Sequence, residues 1–155
     1  IYIFTYSEGF VLTVGEYNDN GKLLYNIIGE DGEPILDRWA ESIDTSDTYS
    51  LIVEYQTEYG DLETNIYDLR TGEFISDEPI EPMTRGPFAY KVVKNGKVNF
   101  LRTIRNIEYT LPAWADSVTD FNENGEAIAV INGKEYILNR NGGGSITEKT
   151  NEGMQ

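Results

Sequence analysis

The side chains able to do chemistry in this chain are almost all carboxylates. There are 27 Asp and Glu against 12 Lys and Arg, with neither histidine nor cysteine. The usual general base, the thiol nucleophile and the soft metal ligands are therefore missing, and seryl triads of the usual kind go with them. A glycosidase-type pair of acids remains formally open, yet no acid stands in an apolar setting that would raise its pKa. The expectation is a non-enzyme with no catalytic residue and no cofactor.

The metal reading goes no further than a half-motif. Asp120-x-Asn122-x-Asn124-Gly125 matches the first half of a calcium loop, where alternating oxygen ligands precede an obligatory glycine turn. Its twelfth position is Ile131 in place of the bidentate Glu. Glu16, Asn18, Asn20 and Gly21 form a similar partial pattern that ends at Ile27. Asn and Asp also favour β-turns for purely local reasons. Gly142-Gly143-Gly144 reads as a turn, since no helix pattern or Lys-Ser/Thr follows it.

Charge is unevenly spread. Nineteen carboxylates and three cations precede Arg85, and eight carboxylates and nine cations make up the rest. Arg85, Lys91, Lys94, Lys97, Arg102 and Arg105 interleave with Phe88, Tyr90 and Phe100, superficially a nucleic-acid pattern. A formal net charge of −15 opposes a phosphate backbone, so no direct nucleic-acid binding is expected. A solvated acidic surface is the plain reading. The sharper one places a partner contact between Glu30 and Glu81, facing a basic surface, with Asp44, Asp47, Tyr55, Tyr59 and Asp61 as candidate binding residues. Tyr17, Tyr55 and Tyr59 would also suit a sugar or protein platform, because Tyr offers area at low entropic cost.

The elements that must position these groups are β-hairpins. In the stretch Phe121 to Gly142, a short apolar run from Ala127 to Ile131 meets Asn132-Gly133 and returns through Lys134 to Leu138. Asn-Gly supplies both φ > 0 positions of a type I′ turn. Four such apolar runs line up, ending at Val14, Val53, Val92 and Val130, at intervals of 39, 39 and 38 residues. In this register one face carries Phe10, Leu12 and Val14, then Tyr49, Leu51 and Val53, then Phe88, Tyr90 and Val92, and last Ile128 and Val130. The expected core is Leu12, Val14, Leu51, Val53, Tyr90, Val92, Ile128 and Val130.

Each run is followed by a turn (Asn18 to Gly21, Thr57 to Asp61, Asn95-Gly96, Asn132-Gly133), a return strand, a second turn and a third short strand. RWAESIDT (Arg38 to Thr45) and AWADSVTD (Ala113 to Asp120) then form fourth segments, with Trp39 and Trp114 expected as plugs between units. Pro79 and Pro82 make the middle copy an edge or a loop.

The expected fold is all-β, with four tandem hairpin-based repeats of about 39 residues in a propeller-like closed ring or a curved array. Residues 1–155 form one domain with units at approximately 6–45, 46–84, 85–120 and 121–155, and residues 1–6 are placed to complete the last unit. Phe4 lies ten residues before Val14, as Ile43 lies ten before Val53. No apolar run approaches the roughly 20 residues of a membrane helix. The chain opens on Ile1, which leaves a leader or anchor ahead of it open.

The third and fourth units resemble the WG repeat, a bacterial tandem repeat. Phe121-Asn122-Glu123-Asn124-Gly125 through Ala127 and Val130, then Gly133-Lys134 and Tyr136-Ile137, follow its order. Tyr6-Ser7-Glu8-Gly9 and Gly21-Lys22-Leu23-Leu24-Tyr25 do so in the first unit. The signature Trp-Gly dipeptide is replaced by Leu23-Leu24 and Val98-Asn99. The resemblance implies an exported or cell-envelope protein that binds or scaffolds, with a protein or glycan partner. The alternative from charge alone is an acidic decoy that mimics nucleic acid and blocks a basic protein.

Overall fold

The computed structural model describes residues 2–5, 12–29, 31–44, 49–83 and 85–149, and among these there are strands and turns but no helix. The strands are β1 (Tyr2–Thr5), β2 (Leu12–Tyr17), β3 (Leu23–Ile28), β4 (Ser42–Asp44), β5 (Ser50–Gln56), β6 (Leu62–Asp68) and β7 (Glu73–Phe74). After these come β8 (Glu81–Pro82), β9 (Tyr90–Lys94), β10 (Lys97–Leu101), β11 (Ser117–Val118), β12 (Glu126–Ile131), β13 (Lys134–Asn139) and β14 (Ser145–Glu148). They form four antiparallel sheets, β1-β2-β3, β4-β5-β6-β7, β8-β9-β10 and β11-β12-β13-β14. The chain divides into two compact units, Ile1–Ile75 with the first two sheets and Ser76–Gln155 with the other two.

Each sheet is centred on a hairpin, and the turn chemistry explains why. Asn95 and Gly96 stand at φ 54° and 77°, and Asn132 and Gly133 at 51° and 81°. These are the type I′ pairs that match the right-handed twist of the flanking strands. The other two hairpins use longer loops. Asn18 closes the first through its side chain, Oδ1 accepting the Asn20 and Lys22 amides at 2.9 Å each. Its own amide donates to the Lys22 carbonyl at 2.8 Å.

The segments between sheets are shared by both neighbours. Ala40 exchanges backbone hydrogen bonds with Tyr25 (2.7 and 2.8 Å), and from Ser42 the chain is paired to β5. Ala115 does the same with Val98 (2.8 and 2.9 Å) before Ser117–Val118 joins β12. Both alanines are fully buried, each within the core cluster of its unit. Trp39 and Trp114, one residue earlier on the alternating backbone, are therefore half-buried and do not plug the core as expected. Trp114 lies against Tyr109, ring centroids 4.8 Å apart.

One core fills each unit. In the first, Ile27, Leu36 and Ala40 pack against Leu51, Val53 and Tyr67 of the second sheet. In the second, Phe88, Val98 and Phe100 pack against Ala127, Ala129, Ile131 and Leu138.

Of the expected core positions, Val14, Leu51, Val53 and Val92 are buried. Leu12 is 37% exposed, Tyr49 is also exposed, and Tyr90, Ile128 and Val130 are only half-buried. The 39, 39 and 38 spacing sets the fourth hairpin one residue out of register. Val53 faces Ile43 and Ala129 faces Val118 in corresponding segments, so Ala129 is the structural match of Val53 and the last interval is 37 residues. A slip of one residue exchanges the two faces of a strand.

No sheet closes into a barrel or propeller among the described residues. β1 is the outer strand of the first sheet, with Ile3 opposite Val14, so residues 2–5 extend that sheet and not the last. β8 is a two-residue edge that ends on Pro82, the kind of position to which proline is confined in a sheet. Among the described residues no helix is long and apolar enough to cross a membrane. Phe10, Val11 and the Tyr6–Gly9 motif lie outside the described residues, as does Asp47.

Candidate functional site

The first hairpin and the segment after it build a cleft of about 340 Å³ lined by Glu16, Tyr17, Asn18, Asp19, Leu24 and Trp39. Cross-strand pairing sets its floor, with Glu16 opposite Leu24 and Tyr17 opposite Leu23. The Asn18-closed loop fixes where Asp19 stands. Ala40, bridged to Tyr25 and buried in the core, forces Trp39 onto the opposite side of the segment, where it becomes a wall. Tyr17 is 58% exposed, so the cleft has a large apolar and aromatic surface open to solvent beside two carboxylates.

The cations of residues 1–75 are all engaged elsewhere. Lys22 Nζ lies 2.6 Å from Glu41 Oε2, compensating that buried oxygen, and also donates to Gln56 Oε1. Arg38 stacks 4.8 Å from the Tyr55 ring centre and donates to the Gln56 carbonyl at 2.6 Å. Arg70 sits 5.3 Å from the Tyr49 ring and 3.5 Å from Asp68. Sixteen carboxylates share this unit with those three cations, a net −13. Residues 76–155 carry eleven carboxylates and nine cations, and several pair locally, Lys94 with Asp77 (3.4 Å) and Lys97 with Asp116 (3.2 Å).

The candidate binding residues fall in two places. Tyr59, 85% exposed, and Asp61 share the β5–β6 loop, which Thr57 closes through its hydroxyl. Tyr55 is half-buried between Arg38 and Phe74 (6.4 Å), and burial raises its phenol above the ordinary value, Arg38 opposing and Asp37 adding to the shift. Asp44 is half-buried on β4.

Both partial calcium patterns are one turn device. Asn122 Oδ1 accepts the Asn124 and Glu126 amides (2.9 and 3.0 Å), just as Asn18 does four residues before Lys22. Among the described residues no group of three or more Asp or Glu is placed to hold a metal ion. A second depression, about 310 Å³, lies over Gly133, Lys134, Glu135, Glu148 and Lys149. Its charges pair across strands, Lys149 with Glu135 at 3.2 Å and Lys134 with Glu148 at 3.8 Å.

The sequence pattern marks Tyr17 and the Glu16–Gly21 loop separately and places Trp39 in the core. The signal that unites them is the period-2 alternation through Trp39-Ala40, with the small residue marking the crowded side. Comparison with protein-family models, curated proteins and solved structures finds no match to this chain.

Proposed function

We propose that this chain is a non-catalytic binding or scaffold module built from tandem hairpin-centred units, engaging a protein or glycan partner through the cleft at Trp39. The observation that carries the reading is an aromatic and aliphatic lining of half-buried Trp39 and Leu24 with exposed Tyr17, beside the Glu16 and Asp19 carboxylates. Aromatic anchors with a polar handle are the residues that dominate binding energetics. The tandem-unit reading is supported by the matched connectors, in which Ala40 and Ala115 play one role in two sheets. An exported or envelope location follows from the resemblance to WG repeats.

The acidic-decoy reading is favoured by the concentration of carboxylates in residues 1–75. One experiment separates them. Candidate oligosaccharides and basic proteins are titrated while the Trp39 indole resonance is followed. The cleft reading expects a ligand that moves Trp39, not Trp114, and loses affinity in Trp39→Leu. The decoy reading expects basic-protein binding that survives Trp39→Leu and is lost in Asp44→Lys/Asp61→Lys. A signal peptide in the full-length gene would favour the first.

A further inference from the structure

We infer that the cleft accepts a cationic side chain, arginine or lysine, presented by a basic segment of a partner protein. This rests on the binding-module reading and names its ligand chemistry. A cation over an aromatic face is drawn by the ring quadrupole, and tryptophan is the strongest of the aromatic acceptors. The aliphatic stem of Lys or Arg covers apolar surface while its head stays polar. Trp39 and Leu24 supply the face and the apolar strip, and Glu16 and Asp19 supply the acceptors in the same cleft.

The unit already uses this mode twice. Arg38 combines the Tyr55 ring with the Gln56 carbonyl, and Arg70 combines the Tyr49 ring with Asp68. The cleft repeats the pairing of aromatic face and oxygen acceptor, yet no Lys or Arg lines it. The three cations of residues 1–75 are each held by other partners, so none of them supplies the complementary charge. A net −13 over the unit adds the long-range attraction that steers such a ligand. A neutral glycan would stack on the aromatic wall and donate hydroxyl hydrogen bonds to the carboxylates, but it carries no charge for the unit's net −13 to attract.

The test titrates the whole chain with a terminally blocked Gly-Arg-Gly-Arg-Gly peptide and with its citrulline counterpart, which keeps the shape and removes the charge. The two tryptophan indole N–H resonances report the site. The arginine peptide should shift Trp39 and leave Trp114 unchanged, with the citrulline peptide several-fold weaker. Glu16→Gln/Asp19→Asn should weaken the arginine peptide by about two- to five-fold per charge removed. Trp39→Leu should cost a similar two- to five-fold, roughly what an exposed cation–π contact contributes. Circular dichroism confirms that the variants keep the fold. Equal binding of the citrulline peptide, or unchanged affinity in the double carboxamide variant, overturns the inference. If cellohexaose or chitohexaose moves Trp39 and the arginine peptide does not, the inference falls while the binding-module reading stands. If none of these probes moves Trp39, both fall.

Discussion

Asn26 is the residue whose removal should damage the first unit most per atom lost. Its side chain is fully buried, and its amide stands in for a strand at the point where the sheet runs out. After Ile35 has donated to the Ile27 carbonyl, Leu36 has no ladder partner for either of its backbone groups on that strand. Asn26 Nδ2 donates to the Leu36 carbonyl at 2.9 Å, and Oδ1 accepts the Leu36 amide at 3.0 Å and the Ile27 amide at 2.8 Å. Asn26→Ala thus strips a partner from three backbone groups in a closed site. Each unsatisfied buried group costs about 1–3 kcal/mol, and partial relaxation brings the total to roughly 3–5 kcal/mol. Against a typical stability of about 5–15 kcal/mol this is a large fraction, readable as a drop in urea midpoint. Asn26→Asp is the sharper probe. At neutral pH it keeps acceptors but buries a charge and loses the donor, whereas a protonated carboxyl can donate to Leu36. Burial raises a carboxyl pKa above its unfolded value, so its favourable contribution is present at low pH and lost as pH rises through the folded value. Asn26→Asp should therefore lie closer to the parent near pH 4 than at pH 7. A loss below about 1 kcal/mol for Asn26→Ala would refute the strand-surrogate argument.

Ala129→Leu, at a fully buried position, should overpack the second unit and cost about 1–3 kcal/mol, while Val130→Leu on the other face should change stability by less than about 0.5 kcal/mol; reversed values would restore the original register. Gly133→Ala pays only for its φ of 81°, roughly 1 kcal/mol, because a Cβ there meets nothing within 4 Å. Gly125→Ala should cost more by urea denaturation, since its φ is also positive and its Cβ would lie 2.6 Å from Asn141 Nδ2. Burial, then Glu73, raises the Tyr67 phenol, and burial raises Tyr55 despite Arg38. A raised folded pKa means stability that is full below about pH 10 and is lost as pH climbs through the folded values. Alkaline unfolding should thus shift to higher pH in Tyr67→Phe.

The hairpins were legible because Asn-Gly has few other uses between apolar runs, and the structure places Asn95-Gly96 and Asn132-Gly133 in the conformation that pair favours. The inward face of the fourth hairpin was not. Ala127 to Ile131 is apolar at every position, so alternation carried no information there. What decided the face was volume. Phe88, Phe100 and Phe121 form a ring cluster with centroids 5.4 to 6.3 Å apart, and they pack on Ala127 and Ala129. Close packing pairs large side chains with small ones across an interface, a relation between distant segments that one strand's own pattern does not contain. The buried asparagines were missed for a similar reason. Asn26 and Asn99 sit among apolar neighbours, and only the geometry of the third segment shows that their amides substitute for missing backbone partners.

The lysine that follows glycine in three of the hairpin turns links the charge pattern to function. Lys22 pairs with Glu41 and Lys97 with Asp116, in each case the acid after the connector alanine, and Lys134 reaches Glu148 instead, at a longer 3.8 Å. Lys22 and Lys97 pin their turns to the segment that leaves the sheet, and Lys134 ties its turn to β14 of the same sheet. Exposed pairs of this kind contribute about 0–1 kcal/mol, too little to explain the fold but enough to spend the local positive charge. In residues 76–155 the nine cations nearly balance eleven acids after such pairing. In residues 1–75 there are only three, each consumed within the unit, and thirteen carboxylates are left in excess. Screening confines exposed charges to about 8–10 Å, so this excess acts on whatever approaches that unit and not on the chain as a whole. The cleft walled by Trp39 and Tyr17 lies inside that field, and a cationic ligand is the kind that gains from both.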